Sequence, residues 1–205
     1  MATRRRDDFL IGPREKAIEA VKAGNKEEAL KYIDELNFEF QPTHDRFSEF
    51  IQTLLVYISE KLGEEAVEDA MKTVYDRVYK SRLLANSGWK PKELTAEEQV
   101  RFWCKAHRDH WSEFYVEEDD EKFTVVITGC GSGGKMHDAR IPGETSKPYP
   151  WSFNQAGVNY FCCHEPIFEA GAAEVGLPTE HHEYETVYDE DGNPTGHLCK
   201  WIAYK

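Results

Sequence analysis

Phe123-Thr124-Val125-Val126-Ile127-Thr128 is the stretch on which the fold class turns. A run of β-branched and aromatic residues with almost no polar interruption reads as a buried strand. Everything upstream of it follows the other periodicity. Pro13 opens a helix carrying Ala17, Ile18 and Val21, which Gly24-Asn25 stops. Lys26 to about Phe40 reads as a second helix through Ala29, Leu30, Ile33 and Leu36. Pro42-Thr43-His44-Asp45 reads as a break, with Thr43 capping a third helix. That helix carries Phe47, Phe50, Ile51, Leu54, Leu55, Ile58 and Leu62 at helical spacing, and Gly63 ends it. A fourth helix is expected from Glu64 to about Leu84, a turn-rich linker over 86–91, and a fifth helix from the capping box Thr95/Glu98 to about Trp111.

Downstream of the strand the pattern is short and broken. An acidic loop at 117–121 precedes the strand; after it, 131–150 reads as a long irregular loop rich in Gly and Pro, and 157–161 as a short strand. Pro166 suits the first turn of a helix over 166–175. Two strands close the chain, 182–188 and 197–204, joined by the turn chemistry of Asp189 to Pro194. Alternation in the last strand puts Cys199, Trp201 and Ala203 on one face. The expectation is an α+β protein in which N-terminal helices pack on a small, mostly antiparallel sheet. Its divisions are a flexible tail over 1–12, a helical region over 13–116 and an α+β region over 117–205, forming one compact unit.

With 205 residues and 40% hydrophobic content the chain is long enough for a sizeable core. A net charge of −13 argues against nucleic acid and anionic membranes as partners, because a polyanion repels an acidic surface. No apolar run approaches the ~20 residues of a membrane span, and the N-terminus lacks the apolar stretch of a secretion signal. A cytoplasmic protein is expected, its five cysteines free or bound to metal. The sequence leaves a homodimer open.

The chemistry concentrates in Cys162-Cys163-His164-Glu165, in Cys130 at the head of the turn Gly131-Ser132-Gly133-Gly134, and in Cys199. Thiolate and imidazole are the ordinary ligands of zinc and its neighbours. Cys130, Cys162, His164 and Cys199 are the expected metal ligands, zinc foremost and iron the alternative. Cys162 and His164, two apart, point the same way in an extended segment, and Cys163 points the other. The competing reading makes the run two core cysteines and a satisfied histidine. His181 or His182 can face the side of Cys199. Glu165 and Glu169, four apart on one helix, are candidate proton carriers, with His44 beside Asp45 as a further acid–base candidate. His107 and His110, at i and i+3, read as a polar helix edge or a metal pair, and His137-Asp138 reads as solvated loop. Trp151, Phe153 and Tyr160 are candidates for an apolar pocket wall.

The segment Tyr160 to Glu165, a helix with Glu169 and Gly171, and the final Gly196-His197-Leu198-Cys199-Lys200-Trp201-Ile202 resemble the C-terminal half of the vinyl-4-reductase-like small-molecule-binding domains. The layout of helices before a cysteine-bearing sheet is similar to that of L-2-amino-thiazoline-4-carboxylate hydrolase-like proteins. The resemblance implies an α+β domain with a cysteine-bound zinc. The function expected is a metal-dependent hydrolase or lyase acting on a small organic molecule. Two alternatives stand beside it: a ligand-binding sensor domain with a structural zinc, and a metal-free cysteine hydrolase using Cys130 or Cys162.

Overall fold

The computed structural model describes residues 11–80, 94–177, 180–191 and 194–205. Most of the expected tail, the 86–91 linker and the end of the fourth helix lie outside these residues. The chain divides into two compact units, Met1–Phe47 and Ser48–Lys205.

The first unit holds α1 (Pro13–Lys22) and the beginning of α2 (Lys26–Leu62). Pro13 occupies the first turn of α1, where its missing N–H costs nothing. Asn25 caps α2, its Oδ1 accepting from the Glu28 N–H at 3.2 Å. The break expected at Pro42 is absent. Pro42 sits inside a continuous 37-residue helix. Its ring removes one intrahelical bond, and helical residues flank it on both sides. Thr43 does not cap; it lies within the helix and its hydroxyl accepts from Arg46 Nη2 at 3.5 Å.

In the second unit only part of the apolar stripe expected along α2 is buried: Leu55 is in the core and Ile58 packs against it. Phe50, Ile51 and Leu54 are exposed, whereas Ser48, Gln52 and Leu55 are buried. α3 (Glu64–Val74) continues into a π-helical turn (Tyr75–Lys80). α4 (Ala96–Asp109) begins at the expected capping box: Thr95 Oγ1 accepts from the Glu98 N–H at 3.2 Å, and Glu98 Oε2 accepts from the Thr95 N–H at 2.9 Å.

Four strands follow: β1 (Glu113–Glu118), β2 (Lys122–Gly129), β3 (Glu180–Tyr188) and β4 (Pro194–Tyr204). They form one sheet in the order β1-β2-β4-β3, with every neighbouring pair antiparallel. The fold is α+β. β2 is the strand on which the sequence reading turned, and Val125, Val126 and Ile127 in it are buried. β1 was expected partly as loop. Its Glu113, Glu117 and Glu118 are exposed on an edge, where charge is tolerated and discourages further pairing. The strand expected at 157–161 is instead a chain of turns with one bridge, Glu144 to Asn159.

Register fixes which side chains share a face. His182 pairs with Trp201 and Tyr184 with Cys199 across β3 and β4, while Ile127 of β2 pairs with Cys199 from the other side. The core over this face includes Val67, Met71 and Tyr75, Val100 and Trp103 of α4, and Ile167 of α6 (His164–Val175). A short helix, α5 (Gly133–Asp138), follows β2 inside the stretch expected as loop. Among the described residues no helix is long and apolar enough to cross a membrane.

Candidate functional site

Three of the four expected ligands, Cys130, Cys162 and Cys199, are electrostatic neighbours, but their sulfurs do not gather within 4.8 Å of one another. Burial pushes the Cys162 thiol well above its ordinary value, and its neighbours Cys130, Cys199 and Glu165 add to the rise in that order. Cys199 is raised by burial, then by Glu165 and Cys130. The segments that bring them are the end of β2, the turn before α6 and the middle of β4. Gly133 is where they need room, since a Cβ there would stand 2.3 Å from Cys162 Sγ. Glu165 is buried among them. Burial and then the Cys130 thiol push its carboxyl up to about 8, and its Oε2 has no hydrogen-bond partner among the described residues.

His164 is the ligand that the structure turns elsewhere. α6 begins at His164, so the extended geometry assumed for Cys162 and His164 does not hold. Its Nδ1–H donates to the Phe161 carbonyl, and its ring lies against Phe161 and Phe168, with centroids 5.6 and 4.9 Å away. Cys163 is fully buried, its thiol donating to the Asn159 carbonyl at 3.4 Å. Glu169 joins α6 to β3: it accepts from the His182 N–H at 2.8 Å and meets His181 Nδ1 at 3.2 Å. His44 belongs to the first unit, where its Nδ1 lies 3.2 Å from Asp45 Oδ1. His107 is buried 4.6 Å from the Trp201 ring.

His182 faces the same side as Cys199, as register requires, but its ring stacks on Trp201 at 4.6 Å. Its Nδ1–H donates to the Glu165 carbonyl at 2.9 Å, and its Nε2 lies 3.6 Å from Glu180 Oε1. Burial lowers His182 to about 3 and raises Glu180, with help from Glu169, to about 8.

The most compact donor group joins a strand histidine to His137 and Asp138, the pair that the sequence reading left in solvent. The ligand atoms of His137, Asp138 and His197 all lie within 4.8 Å of one another, and among the described residues no other such group of three meets that limit. His197 stands two residues before Cys199 on β4 and therefore faces the same way. Its two ring nitrogens are buried with no hydrogen-bond partner among the described residues. Burial lowers its pKa, and the Asp138 carboxylate opposes that shift. The Tyr184 ring stacks on it at 5.4 Å, and Phe153 stacks on Tyr184 at 5.5 Å. Of the expected aromatic wall only Phe153 reaches this stack. Trp151 is buried in the core, and Tyr160 donates its hydroxyl to Glu64 Oε1 at 2.9 Å.

The group opens on a cleft of about 770 Å³ whose walls include His137, Asp138, Pro142, Gly143, Glu144 and Gly196. Glu144 Oε1 lies 3.6 Å from His137 Nε2. Gln52 holds the wall in place: Nε2 donates to the Pro142 and Gly143 carbonyls at 2.9 and 2.8 Å, and Oε1 accepts from the Phe161 N–H at 3.1 Å. Cys130 lies beside Gly134. A Cβ on Gly134 would stand 2.1 Å from His197 Nε2 and 2.7 Å from Cys130 Cβ, so the absence of a side chain at 134 lets the histidine and the cysteine approach from either side.

Two imidazoles and a carboxylate, of which His137 and Asp138 line the cleft and His197 is buried beside them, form a set that suits zinc or ferrous iron. The orphaned nitrogens of His197 fit such an ion, because a buried imidazole with neither nitrogen partnered is costly. The chain matches none of the protein-family models it was compared with, and a search of curated proteins returns no match.

Proposed function

We propose that the chain is a metal-dependent hydrolase for a small organic molecule, its ion held by His137, Asp138 and His197 at the wall of the cleft. The observation that carries this reading is the mutual closeness of those three donors, 4.8 Å or less, beside a cleft large enough for a small substrate. A bound zinc or iron would polarise a substrate's carbonyl-type carbon and make bound water more acidic. The protein's own residues do the rest. Pro142 and Gly143, fixed by Gln52, shape the wall. Glu165, its carboxyl pushed up to about 8 by burial and then by Cys130, adds no negative charge to the interior near neutrality. This reading assigns the ion to a histidine–aspartate set in place of the expected cysteine ligands.

The test is elemental analysis of purified protein and of His197→Ala and Asp138→Ala. Zinc or iron near one per chain is expected in the parent and should be lost in both variants. Hydrolysis across a panel of small esters, amides and cyclic imidates should vanish with chelator and return with metal. Full metal content in both variants would sink the assignment.

A second reading is a ligand-binding domain with a structural zinc on Cys130, Cys162 and Cys199. It draws on the electrostatic influence that those thiols and Glu165 exert on one another. Under it Cys162→Ala loses the metal and His197→Ala keeps it.

A further inference from the structure

We propose that Cys130 is an exchangeable fourth ligand of the ion held by His137, Asp138 and His197, closing the site at rest and leaving when substrate enters. This rests on the ligand assignment above and adds a regulatory state to it. Zinc sites with four protein ligands are closed to chemistry, and sites with three keep a position for water or substrate. A side chain able to switch between the two arrangements governs access to that position.

The structure places a suitable thiol next to the site. Cys130 follows directly on β2 and is half-buried, whereas Cys162 and Cys199 are buried. Its Cβ and the His197 ring approach the same point beside Gly134, where no side chain stands between them. The sulfur itself is turned toward Ser132, with Sγ and Oγ 3.5 Å apart. Rotation about the single Cα–Cβ bond redirects the sulfur while Cβ stays where it is. Cys162 cannot take this part so readily, because its sulfur is packed against Gly133 and the core. On closing, the thiol would release its proton to bulk water and a sulfur lone pair would form the bond to the ion, displacing the water or product held in that position. On opening, that bond breaks and the sulfur takes a proton back. No electrons are exchanged.

Cobalt(II) loaded into the metal-free full-length chain is the probe. Visible ligand-field bands report that the ion is bound, and a near-ultraviolet sulfur-to-cobalt charge-transfer band reports a thiolate ligand. The parent should show both. Cys130→Ser should keep the ligand-field bands and lose the charge-transfer band, whereas Cys162→Ser and Cys199→Ser should keep both. His137→Ala should lose both. In the parent, cobalt should slow iodoacetamide labelling of Cys130 at least tenfold. Ligand-field bands without a charge-transfer band in the parent overturn the fourth-ligand proposal and leave the His–Asp–His assignment standing. A charge-transfer band that persists in Cys130→Ser assigns the sulfur to another cysteine and overturns it as well. Failure of the parent to bind cobalt removes both the proposal and the assignment beneath it.

Discussion

Gln52→Leu isolates one side chain that shapes the cleft without touching the donor group. Gln52 is fully buried and makes three hydrogen bonds to backbone groups about 90 to 110 residues away in sequence. Leucine keeps most of the volume and removes all three. At about 1 kcal/mol net per bond the gross loss is about 3 kcal/mol. Two of the partners keep a second bond: the Phe161 N–H also donates to Asn159 Oδ1 at 3.0 Å, and the Gly143 carbonyl also accepts from the Tyr160 N–H at 2.8 Å. Only the Pro142 carbonyl loses its partner, and Pro142 is exposed enough for water to reach it. The expected destabilisation is therefore about 2 kcal/mol, below the buried-orphan extreme. Equilibrium urea unfolding measures it, and hydrogen exchange should show Tyr160 and Phe161 amides losing protection first. Gln52→Glu sharpens the comparison. A carboxylate facing two carbonyls has nothing to donate, so its folded pKa rises above the unfolded value and its penalty grows as pH rises through about 4.3. At neutral pH Gln52→Glu should be the less stable of the two, and the gap should close in acid. A Gln52→Leu loss under about 0.5 kcal/mol would refute the reasoning, since it would mean that the three bonds exchange for water at no cost.

Glu180→Gln should flatten the alkaline side of the stability profile. The folded pKa of about 8 lies above the unfolded value, so the parent loses stability as pH rises from about 4.5 to 8 and the variant does not. His182→Asn should flatten the acid side: a folded pKa of about 3 lies below the unfolded one, so the parent loses stability as pH falls from about 6.5 toward 3. Urea midpoints across pH 4 to 8 check both. Gly134→Ala places a Cβ against His197 and Cys130, and should cost about 1–3 kcal/mol together with most of the cobalt affinity, read by titration. Thr95→Ala removes one half of the α4 capping box and should cost about 1 kcal/mol while leaving metal binding intact.

The fold was legible where local signals and packing agree. β2, the closing antiparallel pair and the Thr95 cap all rest on residues whose intrinsic preference matches their environment. The errors fall where tertiary context overrides local chemistry. Pro42 looks like a stop because only its own missing bond is visible in sequence, whereas the helical residues on both sides of it are not weighed. β1 looks like loop because its glutamates argue against a strand, and nothing local says that it will be an edge. On α2 the apolar spacing points to Phe50 and Leu54, yet Gln52 is buried because the backbone groups it satisfies arrive from residues 142, 143 and 161.

The candidate site was half legible for a geometrical reason. Both His164 and His197 stand near cysteines, and composition alone favours the denser run at 162–165. Side chains two apart share a face only in a strand. At a helix start two residues turn the chain by about 200°, so Cys162 and His164 diverge once α6 begins at His164. On β4 the same spacing holds His197 and Cys199 on one face for the length of the strand. His137 and Asp138 come within 4.8 Å of His197, and they are carried there by α5, which folds where only loop was expected. A spacing of two places side chains on one face only where the backbone between them is extended, and that condition separates the pair His197 and Cys199 from the pair Cys162 and His164.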